Sequence, residues 1–175
     1  FYSCELDFYK FSAQNLSDQI AFLGDLVKSE DNLNPTTTHD VLSGCTNPFG
    51  FDYDDYKNSR SVDIYGLSAY SFELYFSHPR RPIEYVQLPI CLDIKRAMGK
   101  KFWVSEIFSG SWAGSFPGFL QPSPSTIRVN LWTCLAHGAS GILQWQFKPE
   151  MHGICEAGGH GLVNRDGSDT GRSLE

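Results

Sequence analysis

Lys101-Phe102-Trp103-Val104-Ser105-Glu106-Ile107-Phe108-Ser109-Gly110 (KFWVSEIFSG) reads as a buried β-strand that ends on a carboxylate. Residues Lys101 to Ile107 are dominated by aromatic and β-branched side chains, with Gly99 before them and Ser109-Gly110 after them, the composition of a strand set between turns. An ionised group in such a setting is costly unless it is paired or put to use. Glu106 is therefore the residue from which the chain is best read.

Upstream of this strand a helix is predicted from about Leu88 to Met98, closed on its C-terminal side by Gly99, after a Pro-containing stretch. Val62 to Tyr70 (VDIYGLSAY) is the preceding strand, Gly44 to Asn58 reads as loop, and Thr36 to Leu42 is a short β-branched strand. The segment from Leu6 to Glu30 is expected to be an amphipathic helix with Asp7 placed to cap it and Leu16, Ile20, Leu23 and Val27 as its apolar face. Downstream, Ser125 is placed to cap a helix carrying Ile127, Leu131, Leu135 and Ala136. His137-Gly138-Ala139-Ser140 then hands over to a fourth strand, Gly141 to Gln146, with His137 placed to serve the last helical carbonyls.

Alternating helices and strands with tight turns into each strand and long Gly/Pro/Ser-rich loops out of it indicate βα units on a parallel sheet. The loops after the strands (Ser43 to Asn58, Ser71 to Ile90, Ser109 to Pro124, Phe147 to Gly161) are rich in aromatic and polar residues, as at the C-terminal face of a (β/α)8 barrel. Four strands make half of such a barrel. The expected fold class is α/β, a partial (β/α)8 TIM barrel of roughly strands 5 to 8. The opening on Phe1 and the stop at Glu175 suggest a piece of a longer catalytic domain, spanning residues 1–175, whose two free sheet edges would make it poorly soluble alone.

With 175 residues, 41% hydrophobic and 14% aromatic, the chain has enough apolar surface for a substantial core. A formal charge of −6 without a large Lys/Arg cluster speaks against nucleic acid or an anionic membrane as partner, and no apolar run is long enough to span a bilayer. The five cysteines (Cys4, Cys45, Cys91, Cys134, Cys155) are widely spaced with no C-x-x-C pair, so they are read as reduced, mostly buried thiols and not as a zinc site. No metal or cofactor is implied by these residues, and the cytoplasm is the expected compartment of the parent protein.

At the C-terminal end of a barrel strand, Glu106 occupies a position from which catalytic side chains point into the cleft. Tyr70 ends the preceding strand, Trp112 lies in the following loop and Trp145 is on the next strand, so aromatic groups would flank one carboxylate. Aromatic faces stack on the C–H face of a sugar ring, and a carboxylate beside them can attack an anomeric carbon. The chemistry suggested is glycoside cleavage. Each assignment has a structural alternative: Tyr70 as an ordinary strand-end aromatic, Trp145 and Trp103 as packing groups, Glu150 and Glu156 as solvated loop acids.

The run KKFWVSEIFSGSWAGSFPGFLQPSPSTIRVNLWTCLAHGASGILQWQFKPE (Lys100 to Glu150) resembles the region of glycoside hydrolase family 42 β-galactosidases that holds the nucleophile strand and the last barrel strand. LDFYKFS (Leu6 to Ser12), NPTTTHD (Asn34 to Asp40), VDIYGLSAY and HGLVNRDG (His160 to Gly167) fall in the order that the family requires. The resemblance implies a retaining β-galactosidase with Glu106 as nucleophile, Tyr70 as a hydroxyl near it and Trp112 as a sugar-stacking wall. It implies Glu150, Glu156 and His160 as contacts to sugar hydroxyls, and His39 and Trp145 as lining of the cleft. The sequence departs from the commoner family pattern, in which a Glu and a His stand closer together than here.

The acid/base would sit on the strand that precedes Phe1, so the isolated stretch is expected to be inactive. A cysteine-bound structural zinc, frequent in the family, would also lie upstream. The implied partner is a β-galactoside or oligosaccharide, and a homo-oligomeric parent protein is left open. Two other readings stay open on the residues alone: another retaining glycosidase of the same clan (β-glucosidase, β-mannanase or arabinopyranosidase type), and a carbohydrate-binding barrel remnant without catalysis.

Overall fold

The computed structural model describes residues 2–41, 54–69, 82–110, 122–152 and 159–175. Within them the chain runs α1 (Tyr2–Glu30), β1 (Thr37–Val41), α2 (Asp55–Arg60), β2 (Ile64–Ser68), α3 (Pro82–Ala97), β3 (Phe102–Phe108), α4 (Pro124–Ala136) and β4 (Gly141–Trp145). The four strands are all parallel and lie in chain order, β1-β2-β3-β4. A parallel sheet whose successive strands are joined by helices is a partial α/β barrel, the class expected from the sequence.

The helix layer covers one face of the sheet. Leu67, Ala69, Phe102, Val104 and Ile107 turn to that side and form the core with Leu88, Cys91 and Leu92 of α3 and Cys134 of α4, flanked by Leu131 and Ile142. Each of these fully buried aliphatic side chains contributes about 2 kcal/mol relative to exposure. Among the described residues no helix is long and apolar enough to cross a membrane.

Several local expectations are corrected. Helix α3 begins at Pro82, six residues before the expected start at Leu88, and carries Pro89 inside it. Proline is well placed at a first helical position, and the core contacts of Leu88, Cys91 and Leu92 hold the helix together across Pro89. Residues 55–58 are helical and not loop: the Asp54 carboxylate accepts from the Lys57 N–H at 3.0 Å and nucleates the short α2. The cap of α4 is Ser123, whose hydroxyl accepts from Thr126 N, with Pro124 following, so Ser125 lies inside the helix. Asp7 likewise sits within α1 and not at its start. His137 does cap α4 with its backbone N–H, but its ring goes elsewhere, Nδ1 lying 2.8 Å from Asp93 Oδ1 on α3. Gly99, at φ +73°, closes α3 as expected.

The largest correction concerns α1. Its Leu16–Ile20–Leu23–Val27 stripe was expected to face the core, yet Leu23 and Val27 are 57% and 51% exposed. The face that packs carries Ser17 and Gly24: the Ser17 hydroxyl donates to Asn58 Oδ1 at 2.7 Å, and a Cβ on Gly24 would stand 2.7 Å from Ser61 O. Small residues permit that close approach to α2, whereas the leucine stripe is too bulky for it.

The cysteines give a direct test of the packing. Among the described residues Cys91 and Cys134 are buried and Cys4 is exposed on α1, a mostly buried set, and burial pushes the Cys134 thiol up to about 12; Cys45 and Cys155 lie outside the described residues. Iodoacetamide should therefore alkylate Cys4 in the native protein and spare Cys91 and Cys134 until denaturant is added, as read by peptide mapping. Early alkylation of Cys134 would mean that α4 does not pack as described.

Candidate functional site

Regular alternation along β3 would send Phe102, Val104 and Glu106 to the same face, the one filled by the helices. The strand avoids this with a bulge. Leu67 pairs with Val104 but Ser68 pairs with Glu106, and on the other side Val104 pairs with Ile142 but Ile107 with Gln144. Both neighbours register one extra residue in β3 around Ser105 and Glu106. Ile107 thereby takes the core position, and Glu106 is released to the open face of the sheet with its side chain 25% exposed.

On that face, among the described residues, Glu106 meets two side chains. The Ser68 hydroxyl of β2 donates to Oε2 at 2.9 Å, and His39 Nε2 of β1 lies 3.7 Å from the same oxygen. His39 reaches across from two strands away because its register partner on the intervening strand is Gly66. A Cβ there would stand 2.9 Å from His39 Cβ and 1.9 Å from Ser105 Oγ, so any larger residue would force the two apart.

Beyond the strand ends, residues 159–173 are tied back onto the sheet. Gln146 N donates to His160 O at 2.9 Å and Leu162 N to Gln146 O at 2.8 Å. The Arg172 guanidinium donates to Ser109 O at 2.8 Å and Gly161 O at 3.0 Å, joining the exits of β3 and β4. His160, at φ +60° and 4% exposed, stacks on Phe108 with ring centroids 5.9 Å apart, and burial holds its imidazole below the usual histidine range. It supports the strand end from beneath.

Of the residues singled out from the sequence, Glu106 and His39 are brought together. Trp145 ends β4 in register with Phe108, half-buried, its carbonyl accepting from Ser109 N at 3.0 Å. Glu150 follows in a single-residue bridge, partly exposed. Tyr70, Trp112 and Glu156 lie outside the described residues. Among the described residues no group of three or more His, Cys, Asp or Glu is placed to hold a metal ion. Ser68, Gly66 and Arg172 are additions that the sequence reading missed. The alternation in Tyr65-Gly66-Leu67-Ser68-Ala69 carried a signal for two of them, since small Gly66 and Ser68 share the face opposite Leu67.

The geometry is thus a carboxylate on a rigid strand end, held by one oxygen at the mouth of a parallel sheet. The family model for glycoside hydrolase family 42, described as beta-galactosidase, matches residues 1–175. Nothing among curated proteins matches the chain. Among solved structures, it is similar to the polyextremophilic beta-galactosidase from the Antarctic haloarchaeon Halorubrum lacusprofundi, at 22% identity and a TM-score of 0.81, covering 97% of this chain and 25% of that one. The beta-galactosidase from the psychrophilic Marinomonas ef1 matches at 16% identity and a TM-score of 0.80, covering 97% and 26%. The cold-adapted beta-galactosidase from Rahnella sp. R3 matches at 22% and 0.76, covering 97% and 24%. This chain spans about a quarter of the length of these structures.

Proposed function

The chain belongs to glycoside hydrolase family 42, the β-galactosidases, and from that premise we propose that it contributes the nucleophile side of the active site to a retaining β-galactosidase. The observation that carries the reading is the bulge in β3, which turns Glu106 out of the core and presents it beside Ser68 and His39 at the strand's C-terminal end. A barrel uses that end of its strands for chemistry.

In the proposed mechanism Glu106 attacks the anomeric carbon of a terminal β-galactoside, and a second carboxyl group about 5 Å away protonates the departing oxygen. That second group then activates the water that frees the sugar. Its expected source is the barrel strand that would precede β1, so residues 1–175 alone would not turn over substrate. Tyr70 would offer a hydroxyl beside Glu106, and Trp112 and Trp145 would stack on the sugar's C–H face. Glu150 and Glu156 would take sugar hydroxyls from the loop after β4, and His39 lines the cleft. His160, stacked under Phe108, acts by supporting the strand end.

A 2-deoxy-2-fluoro β-galactoside with an activated leaving group tests this reading in the full-length enzyme. The slow deglycosylation of the fluorosugar should leave a covalent adduct, and proteolysis with mass spectrometry should find it on the peptide containing Glu106. An adduct on Glu150 or Glu156 would overturn the assignment. Faster labelling by the β-glucoside analogue would overturn the choice of galactose.

A further inference from the structure

Among the described residues two side chains meet Glu106, and both approach Oε2 and not Oε1. Resting on the reading of Glu106 as nucleophile, we infer that Ser68 and His39 are positioning residues that fix the carboxylate by Oε2, so that Oε1 is the atom that attacks the anomeric carbon. The bond from Oε1 to the carbon forms as the glycosidic bond breaks. Its electron pair leaves with the aglycone oxygen, which takes a proton from the enzyme's acid carboxyl group. Ser68 keeps its proton throughout, and Oε2 becomes the carbonyl oxygen of the glycosyl ester. When water later releases the sugar, negative charge returns to the carboxylate and the Ser68 hydrogen bond receives it.

Three features of the fold converge on this arrangement. The Ser68 side chain is fully buried, at 0% exposure, so its hydroxyl is not free to exchange Oε2 for bulk water. The β3 bulge sets Glu106 directly opposite Ser68 in register. Gly66 leaves the gap through which His39 reaches the same oxygen from β1. A carboxylate gripped at one oxygen has lost the rotation that would exchange its two oxygens, and that restraint is what attack along a defined line requires.

The test compares Ser68→Ala and His39→Phe with the unmodified full-length enzyme on an aryl β-galactoside. Ser68→Ala removes the donor with almost no change of volume. It should lower kcat by about 10- to 100-fold while KM and the melting temperature stay near the unmodified values, and the fluorosugar should still label Glu106, only more slowly. His39→Phe should lower kcat less. The double variant should fall short of the product of the two losses, because both act on one oxygen.

A Ser68→Ala enzyme that keeps kcat within about threefold would overturn the inference, since misplacement of a reacting atom costs far more than that. So would a loss of kcat that is matched by a loss of melting temperature, which would mark Ser68 as a packing residue. Labelling of a residue other than Glu106 in the unmodified enzyme is a separate result. It would remove the proposed function itself, and this inference with it.

Discussion

Glu106→Gln in the full-length enzyme is expected to lower kcat for aryl β-galactosides on the order of 10⁴- to 10⁶-fold, the range seen when the central member of a covalent catalytic unit is removed. The amide keeps the size of the side chain and can still accept from Ser68, so folding and sugar binding should change little. What disappears is the nucleophile: a neutral amide oxygen does not form the glycosyl ester, and the enzyme is left with water as the only attacking group. Stopped assays with an aryl galactoside measure the turnover, and calorimetric binding of galactose or a slow inhibitor measures the retained affinity. Because the loss is in the chemical step, the truncating variant Glu106→Gly, which does vacate the carboxylate's space, should regain turnover with a good leaving group when azide attacks from that side. Retention of more than a few per cent of activity by Glu106→Gln would move the nucleophile to another residue.

The second large effect is on stability. Behind the sheet, Lys95 of α3 is fully buried, with Nζ 2.7 Å from Asp40 of β1 and 3.3 Å from Asp55 of α2. Its ammonium also lies 4.2 Å from the centre of the Tyr65 ring, and the Tyr65 hydroxyl donates to Asp55 at 2.7 Å. One cation therefore serves two carboxylates. Above about pH 7, where Asp40 is ionised in the unmodified protein, Lys95→Met should cost about 3–5 kcal/mol, because the two buried acids lose their counter-charge. Denaturant titration measures the loss, and a cost below about 1 kcal/mol, as for an exposed pair, would contradict the burial of this group.

The same cluster has a pH signature. Burial pushes the Asp40 carboxyl up to about 7, with Lys95 acting against the rise. A carboxyl whose folded value lies above its unfolded one favours folding when protonated, so its contribution is complete below about pH 4 and is lost as pH climbs through 7. Asp40→Asn removes that titration. Relative to the unmodified protein its stability should improve between about pH 4 and 7 and level off above, and a difference that is flat over this range would mean that Asp40 is ionised throughout.

The sequence was sufficient for much of the fold. Period-2 runs such as Tyr65-Gly66-Leu67-Ser68 and Phe102-Trp103-Val104, bounded by turn residues, locate strands because strand alternation is a local property. The long loops after each strand then identified the end of the sheet at which Glu106 stands. Lys95 is legible too, since it falls on the face of α3 that carries Cys91 and Leu92.

What the sequence could not contain is pairing. Whether β3 carries one residue more than its neighbours is defined only when β2 and β4 lie beside it, and that extra residue decides whether Glu106 faces the core or the cleft. The contacts that follow join residues far apart in the chain, 38 positions for Ser68 with Glu106 and 55 for Lys95 with Asp40. The packed face of α1 was decided in the same way. Hydrophobicity alone pointed to Leu23 and Val27, but the closeness of α2 selects small side chains, so Ser17 and Gly24 make the contact. Local periodicity reports what a segment prefers, and only the partner surface, with its register and its available space, determines which face meets it.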